Sequence, residues 1–297
     1  MATNDPAAEE PTEAAAPVCP RHPDRVAYVR CQRCGRPACP ECQRPAAVGV
    51  QCVDCVREAR RTAPRARTVF GGEARETTAG GRPVVTFTII GICVASWVLQ
   101  LATGGRWTEL LWFWPWGGVV EPWRFLTASF LHSTSPLHIL FNMYALWITG
   151  QFLEPLLGRL RFTVLCLLAA VGGQVAVLLL AGDPLTSTAW ITPVVGASGM
   201  VFGLFGAMLP VLRRLGRSLG QVLVLLAING AIGFFVPRIS WEAHLGGLVT
   251  GALVAAAYAY APRERRALVA WLVPAVGIVV LVGLAVWRYT TAGVLGM

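Results

Sequence analysis

Beyond residue 83 the chain alternates long apolar runs with short polar joints that carry most of the arginine. The runs fall near 84–102, 134–153, 161–181, 196–212, 219–237, 242–261 and 267–288. Most reach the roughly 20 residues that an α-helix needs to cross a hydrocarbon core. The pattern predicts an all-α, polytopic membrane region with seven spanning helices. Before residue 83 the pattern changes. Residues 1–18 are rich in Ala, Pro and Glu and have no apolar core, so they are expected to be disordered and not to act as a signal peptide. Cysteines punctuate residues 19–55. Residues 56–82 set Arg57, Arg60, Arg61, Arg65, Arg67, Arg75 and Arg82 among Pro, Gly and Thr, the composition of a flexible basic linker lying against anionic headgroups.

Composition agrees with this division. The chain is 55% hydrophobic and 14% charged, where a soluble globule would carry about a quarter charged residues. All 25 basic residues are arginine and the net charge is +9. That charge does not call for nucleic acid, because loops flanking membrane spans collect arginine for their own reasons. Its distribution predicts orientation. With the N-terminus inside, inner loops hold Arg159, Arg161, Arg213, Arg214, Arg217, Arg263, Arg265 and Arg266. Outer loops and tail hold Arg106, Arg124, Arg238 and Arg288. The excess puts the N-terminus in the cytoplasm and the C-terminus outside. Between the first two runs, Trp107, Trp112, Phe113, Trp114, Trp116 and Trp123 are interleaved with Pro115, Gly117, Gly118 and Pro122. This predicts a loop lying partly in the outer leaflet.

The cysteine region reads Cys19-x2-His22, Cys31-x2-Cys34, Cys39-x2-Cys42 and Cys52-x2-Cys55. Four close pairs supply eight ligands, enough for two tetrahedral zinc sites. A disulfide framework is disfavoured in reducing cytosol. The spacing resembles B-box or treble-clef zinc modules, in which alternate pairs often share an ion; the spacing alone leaves the pairing open. So few residues around two ions have little core, so metal should supply most of the folding free energy. Partner binding, self-association and regulation are all open roles for it.

Polar residues inside the apolar runs carry the chemistry. Ser198 opens the fourth run, ahead of a glycine stripe at 199, 203 and 206, and His244 stands near the start of the sixth. These runs point the same way. Ser198 lies fifteen residues before Arg213 and His244 eighteen before Pro262, so at about 1.5 Å per residue they share one level in the membrane. Gly247 and Gly251 lie on the histidine's face and permit close helix contact. A serine beside a membrane histidine is a nucleophile with its base. In the second run His138 and Asn142 share a helix face, and both can donate to a developing oxyanion. His132 is read as ordering the loop before that helix. Metal at His132, His138 and His244 is disfavoured, because no acidic residue joins them at ligand spacing. Cys93 and Cys166 read as buried packing thiols.

Over about residues 84–261 these positions resemble the rhomboid intramembrane serine proteases. The resemblance rests on Trp123-Arg124, His138-x3-Asn142, Glu154, Gly196-x-Ser198-Gly199 and Ala243-His244-x2-Gly247-x3-Gly251. It implies a six-helix core over 83–261, with residues 262–297 forming a seventh helix and tail in a 6+1 arrangement. It implies Ser198 as nucleophile and His244 as base in a dyad without an acid. His138, Asn142 and the Ser198 N–H would form the oxyanion hole, and Trp123, Arg124 and Glu154 would support the first loop. Phe202 departs from the family's common tyrosine, leaving a ring that can still stack on the histidine. The bacterial plasma membrane is the expected site, and no cofactor is expected for catalysis.

The resulting expectation is a serine endopeptidase acting on transmembrane protein substrates in the lipid bilayer, through an acyl-enzyme, with a protein partner open to the zinc module. A scissile segment must unwind near its outer end, since a helix hides its carbonyls, and water must reach the serine from outside. The alternative is an inactive relative that binds membrane clients and recruits a partner through the zinc module. A transporter would instead line a path with ionisable groups, whereas these cluster at one depth.

Overall fold

The computed structural model describes residues 16–62, 68, 70, 83–235 and 239–296. The tail expected to be disordered lies outside these as far as residue 15, and so does most of the expected linker from residue 63 on. The chain divides into two compact units, one ending at Arg65 and the other starting at Ala66.

In the first unit, β1 (Val18–Cys19) pairs antiparallel with β2 (His22–Val26), and β3 (Gln43–Pro45) with β4 (Val50–Cys52). Helix α1 (Val53–Thr62) follows directly. Two expected boundaries shift. Val18 belongs to a strand, and residues 56–62 continue a helix where the linker was expected. Asp54 in the first turn of α1 and Arg60 and Arg61 in the last suit the helix dipole, and buried Cys55 anchors its start. The buried interior of this unit is eight residues, Ala27, Ala38 and six cysteines, with no large aliphatic side chain among them.

The second unit is helical: α2 (Val84–Ala102), the short α3 (Arg106–Leu111), α4 (Pro115–Val120) and α5 (Arg124–Thr127), then α6 (Pro136–Leu157), α7 (Arg159–Leu180), α8 (Ser198–Arg214), α9 (Gly220–Phe235), α10 (Trp241–Ala259) and α11 (Arg266–Thr291). Among the described residues, α2, α7 and the stretch Arg263–Thr291 are long and apolar enough to cross a membrane by length and composition. The other long helices are shorter or interrupted by the polar residues of interest. The span in α7 is 61% buried, against 28% for α2 and 17% for α11, so α7 is the central post. Pro136 starts α6, where its missing N–H costs nothing. Gly158, at φ 81°, ends α6 and lets α7 begin at the next residue.

Helices α7, α8 and α10 meet where side chains are missing. A Cβ on Gly247 would overlap the Gly199 carbonyl, one on Gly251 the Gly203 carbonyl, and one on Gly206 the Leu248 carbonyl. On the α7 side, a Cβ on Gly173 would stand 2.9 Å from the Ala243 carbonyl. The expected glycine stripes are therefore the seam itself. Without a hydrophobic drive between helices in lipid, such close backbone contact is what association depends on.

Two buried charges fix the periphery. Glu154, near the end of α6, accepts from the Val85 and Thr86 N–H groups at 3.0 and 2.9 Å and from Thr86 Oγ1 at 2.8 Å. This corrects the expectation that Glu154 supports the first loop. The carboxylate caps the N-terminus of α2, at the opposite end of that helix, where unsatisfied N–H groups and the dipole favour it. The first loop is held by Arg124, which is buried. Its guanidinium pairs with Glu121 at 2.5 Å, donates to the Glu109 and Trp112 carbonyls, both at 2.9 Å, and lies 4.5 Å over the Trp114 ring. Trp123 is half exposed, and it holds α5 through its backbone carbonyl, which accepts from Leu126 and Thr127.

Replacing Gly251 with valine should lower stability by about 1–3 kcal/mol or more, since overpacking forces backbone apart. A Cβ on Gly230 meets nothing within 4 Å, so Gly230→Ala is the matched control. Thermal unfolding in detergent should separate the two, and equal midpoints would contradict the seam.

Candidate active site and metal centres

Ser198 is the first residue of α8, and the chain reaches it through Gly196 at φ +138°. The Gly196 N–H donates to the Ala128 carbonyl at 3.0 Å, which pins the turn. Glycine is needed here for its conformation, while a Cβ would only touch the His138 ring at 3.4 Å and Ser198 Oγ at 3.5 Å. The first intrahelical bond shown is Val201 N–H to the Ala197 carbonyl. The N–H groups of the first turn are thus unclaimed by the helix and gather at the serine.

His138 faces that turn. Its Nδ1 accepts from the Ser133 N–H at 3.1 Å and lies 3.0 Å from Ser133 Oγ. A backbone N–H can only donate, so the neutral ring carries its proton on Nε2, on the side that meets Gly196. Asn142 is buried, and its side-chain NH₂ donates to the His138 carbonyl at 2.8 Å. Of the two side-chain N–H bonds of Asn142, one is thus spent within α6.

His244 is held by its face. The Phe202 ring, one turn after Ser198, stacks on it at 4.0 Å with 9° between the planes. Nδ1 of His244 has no partner among the described residues, so no acid orients the ring. No hydrogen bond joins Ser198 to His244 among the described residues, where matched depth led one to expect it. Stacking fixes the plane of the imidazole but leaves the serine rotamer free, and catalytic hydrogen bonds often tighten only around substrate. Both residues ride on turns in backbone contact, Gly199 lying against the Ala243 carbonyl.

Several supporting side chains were not singled out in the sequence. Gln100 holds the backbone of His132 from both sides, donating to its carbonyl at 2.8 Å and accepting its N–H at 2.9 Å. Trp97 Nε1 donates to the Ser133 carbonyl at 3.0 Å. The signal was present, since Gln100 is the lone amide in an otherwise apolar span. His132 itself is buried with its ring 5.4 Å from that of His138, which makes it a packing partner of that histidine.

A family model described as the rhomboid domain matches residues 120–261. Those residues are a rhomboid domain. It is 32% identical over 206 residues to Rhomboid protease GluP of Bacillus subtilis (strain 168), covering 62% of this chain and 38% of that protein. It is 35% identical over 138 residues to the mitochondrial RHOMBOID-like protein 6 of Arabidopsis thaliana, covering 44% and 42%. It is 30% identical over 181 residues to Rhomboid protease GlpG of Yersinia pestis (strain Pestoides F), covering 58% and 61%. The chain therefore spans less than two thirds of these relatives' length. With its apolar helices, this rhomboid is an integral, multi-pass membrane protein.

The residues of this rhomboid that could ligate metal lie before the matched domain. They form two clusters, Cys19, His22, Cys39 and Cys42 in one and Cys31, Cys34, Cys52 and Cys55 in the other, with all ligand atoms of a cluster within 4.8 Å of one another. Alternate pairs share a site, the arrangement that spacing left open. The residues fit zinc: bonds of 2.3 Å to sulfur imply an S···S edge of about 3.8 Å in a tetrahedron, and Cys34 and Cys52 are 3.8 Å apart. His22 Nδ1 stands 3.2, 3.4 and 3.9 Å from the sulfurs of Cys39, Cys42 and Cys19. The Cys39 N–H leads the groups that hold the Cys19 thiol at about 6, which favours the thiolate that binds metal.

Chelation should test this directly. Because the first unit has almost no apolar core, a strong chelator should release about two zinc per chain and expose all eight ligands, read by metal assay and cysteine alkylation. Helix content of the second unit should persist, and full retention of the first unit's fold without metal would contradict the assignment.

Proposed function

We propose that this rhomboid is an intramembrane serine endopeptidase that hydrolyses peptide bonds in or near transmembrane segments of membrane proteins. The observation that carries the reading is the stacking of His244 on Phe202, one turn after Ser198, at a helix crossing stripped of side chains. It keeps an imidazole beside a serine with no carboxylate involved. The named rhomboid proteases among its relatives support the same reading.

In this mechanism His244 takes the Ser198 proton as the hydroxyl attacks the scissile carbonyl, since a serine is a weak nucleophile without a base. The oxyanion is met by the Ser198 N–H, by Nε2–H of His138 and by the free N–H of Asn142. His244 then protonates the departing amine, and a water activated by the same imidazole hydrolyses the acyl-enzyme. Gly196 leaves room for the reacting carbonyl's surroundings, while Gly199, Gly247 and Gly251 let the two helices approach. Phe202 sets the plane of the base. Six helices, α2 and α6 through α10, form the core, with α11 as an added seventh; the N-terminus is cytoplasmic and the C-terminus outside. In the first unit the two clusters hold structural zinc and take no part in the chemistry. That unit is the place for a protein partner, and a bacterial plasma membrane is the setting we infer.

A fluorophosphonate probe should label the detergent-solubilised protein at Ser198. Ser198→Ala should abolish labelling and reduce cleavage of a transmembrane substrate by on the order of 10⁴-fold or more. His244→Ala should do the same, and His138→Ala should cost about 10²–10³ in kcat with its fold intact. Folded wild type that fails to label would favour the inactive, client-binding alternative.

A further inference from the structure

The rhomboid match ends at residue 261, yet the last turn of α11 reaches the loop that carries the serine. Tyr289 is buried, and its hydroxyl donates to the Pro115 carbonyl at 2.8 Å. Pro115 opens α4. Two residues earlier, Phe113 pairs with Val194 in both directions, its N–H to the Val194 carbonyl at 3.1 Å and the Val194 N–H to its own carbonyl at 2.7 Å. Val194 immediately precedes the turn of Gly196, which is pinned in turn to Ala128. Two hydrogen-bonded links, Tyr289 to Pro115 and Phe113 with Val194, thus connect the seventh helix to Ser198 through steps of two and four residues along the chain.

Trp190 closes the arrangement. Fully buried, it packs against Trp116 at 5.5 Å and Tyr289 at 6.2 Å, with the Arg288 guanidinium 5.2 Å over its face. Arg288 also donates to the Gly182 carbonyl, which accepts from Trp190 Nε1 at 3.1 Å as well. Two features mark the contact as fitted. The phenol hydroxyl has its partner despite burial, and a Cβ on Gly118 would strike that hydroxyl at 2.6 Å. A helix lying on the bundle only to fill lipid-facing space would need neither.

We propose that Tyr289 and Arg288 are positioning residues for the nucleophile: the last turn of α11 braces residues 190–197 and so sets where the first turn of α8 presents Ser198. This rests on the serine-protease reading above. The brace acts through backbone pairing and touches no reacting atom, so it should change the chemical step and leave substrate binding alone.

Tyr289→Phe keeps the ring and its burial and removes one donor; Arg288→Gln is the second variant. Hydrogen–deuterium exchange of residues 190–197, the rate of fluorophosphonate labelling and the kcat and KM for a transmembrane substrate should be compared with wild type. Loss of one buried hydrogen bond should speed exchange of the Val194 and Gly196 amides about threefold to tenfold. Labelling rate and kcat should fall by a similar factor, with KM within about twofold. A variant whose melting temperature drops while exchange in 190–197, labelling and kcat stay at wild-type values would show a merely structural contact and overturn the brace. If wild type itself is not labelled at Ser198, the protease reading fails. The exchange comparison still decides the brace, since unchanged exchange in both variants refutes it independently.

Discussion

Backbone contact between helices α8 and α10 is the constraint on which the second unit rests. In lipid, apolar side chains gain little by leaving the solvent, so helix association depends on packing and on polar contacts. Glycine at 199, 203, 247 and 251 lets two helices meet at their carbonyls, and the same closeness carries Ser198 and His244 into one neighbourhood. Architecture and candidate chemistry therefore share a cause. A side chain at the crossing would separate the helices and with them Ser198 from His244.

Around that seam, three buried polar side chains are matched and act as struts. Glu154 satisfies the start of α2, Arg124 ties three points of the first loop, and Gln100 clasps the backbone of His132. Each lone polar group in hydrocarbon would be costly; paired, each fixes one strut of the frame. His244 differs, with Nδ1 unpartnered among the described residues, as both ring nitrogens of His132 also are, and its plane held by Phe202 instead. In the role proposed for it, His244 would be served by a neighbour that constrains its ring without competing for the proton it accepts and returns.

The first unit solves a different problem. Its buried interior consists of cysteines and alanines, so it has little hydrophobic burial to hold it, and the two clusters of four are the residues that could take over that role by binding metal. The unit lies outside the matched rhomboid domain. Neither the chemistry proposed at Ser198 nor the frame around it calls on these ligands.

The sequence by itself determined the apolar runs, the glycine stripes, the candidate pair Ser198 and His244 and the eight candidate metal ligands. These follow from period, composition and spacing, which are local properties of a chain in lipid. Gly196-x-Ser198-Gly199 and the spacing after His244 were legible because only small residues fit that crossing. Tertiary structure alone decided which cysteine pairs share a site, because alternate and adjacent pairing have the same spacing. It alone sent Glu154 to α2, since the partner is a pair of backbone N–H groups that no sequence pattern marks. Asn142 spending an N–H on α6, Gln100 bracing the loop and Tyr289 reaching Pro115 from 174 residues away belong to the same class. A hydrogen bond to a distant carbonyl depends on where the backbone goes, and every residue offers the same carbonyl.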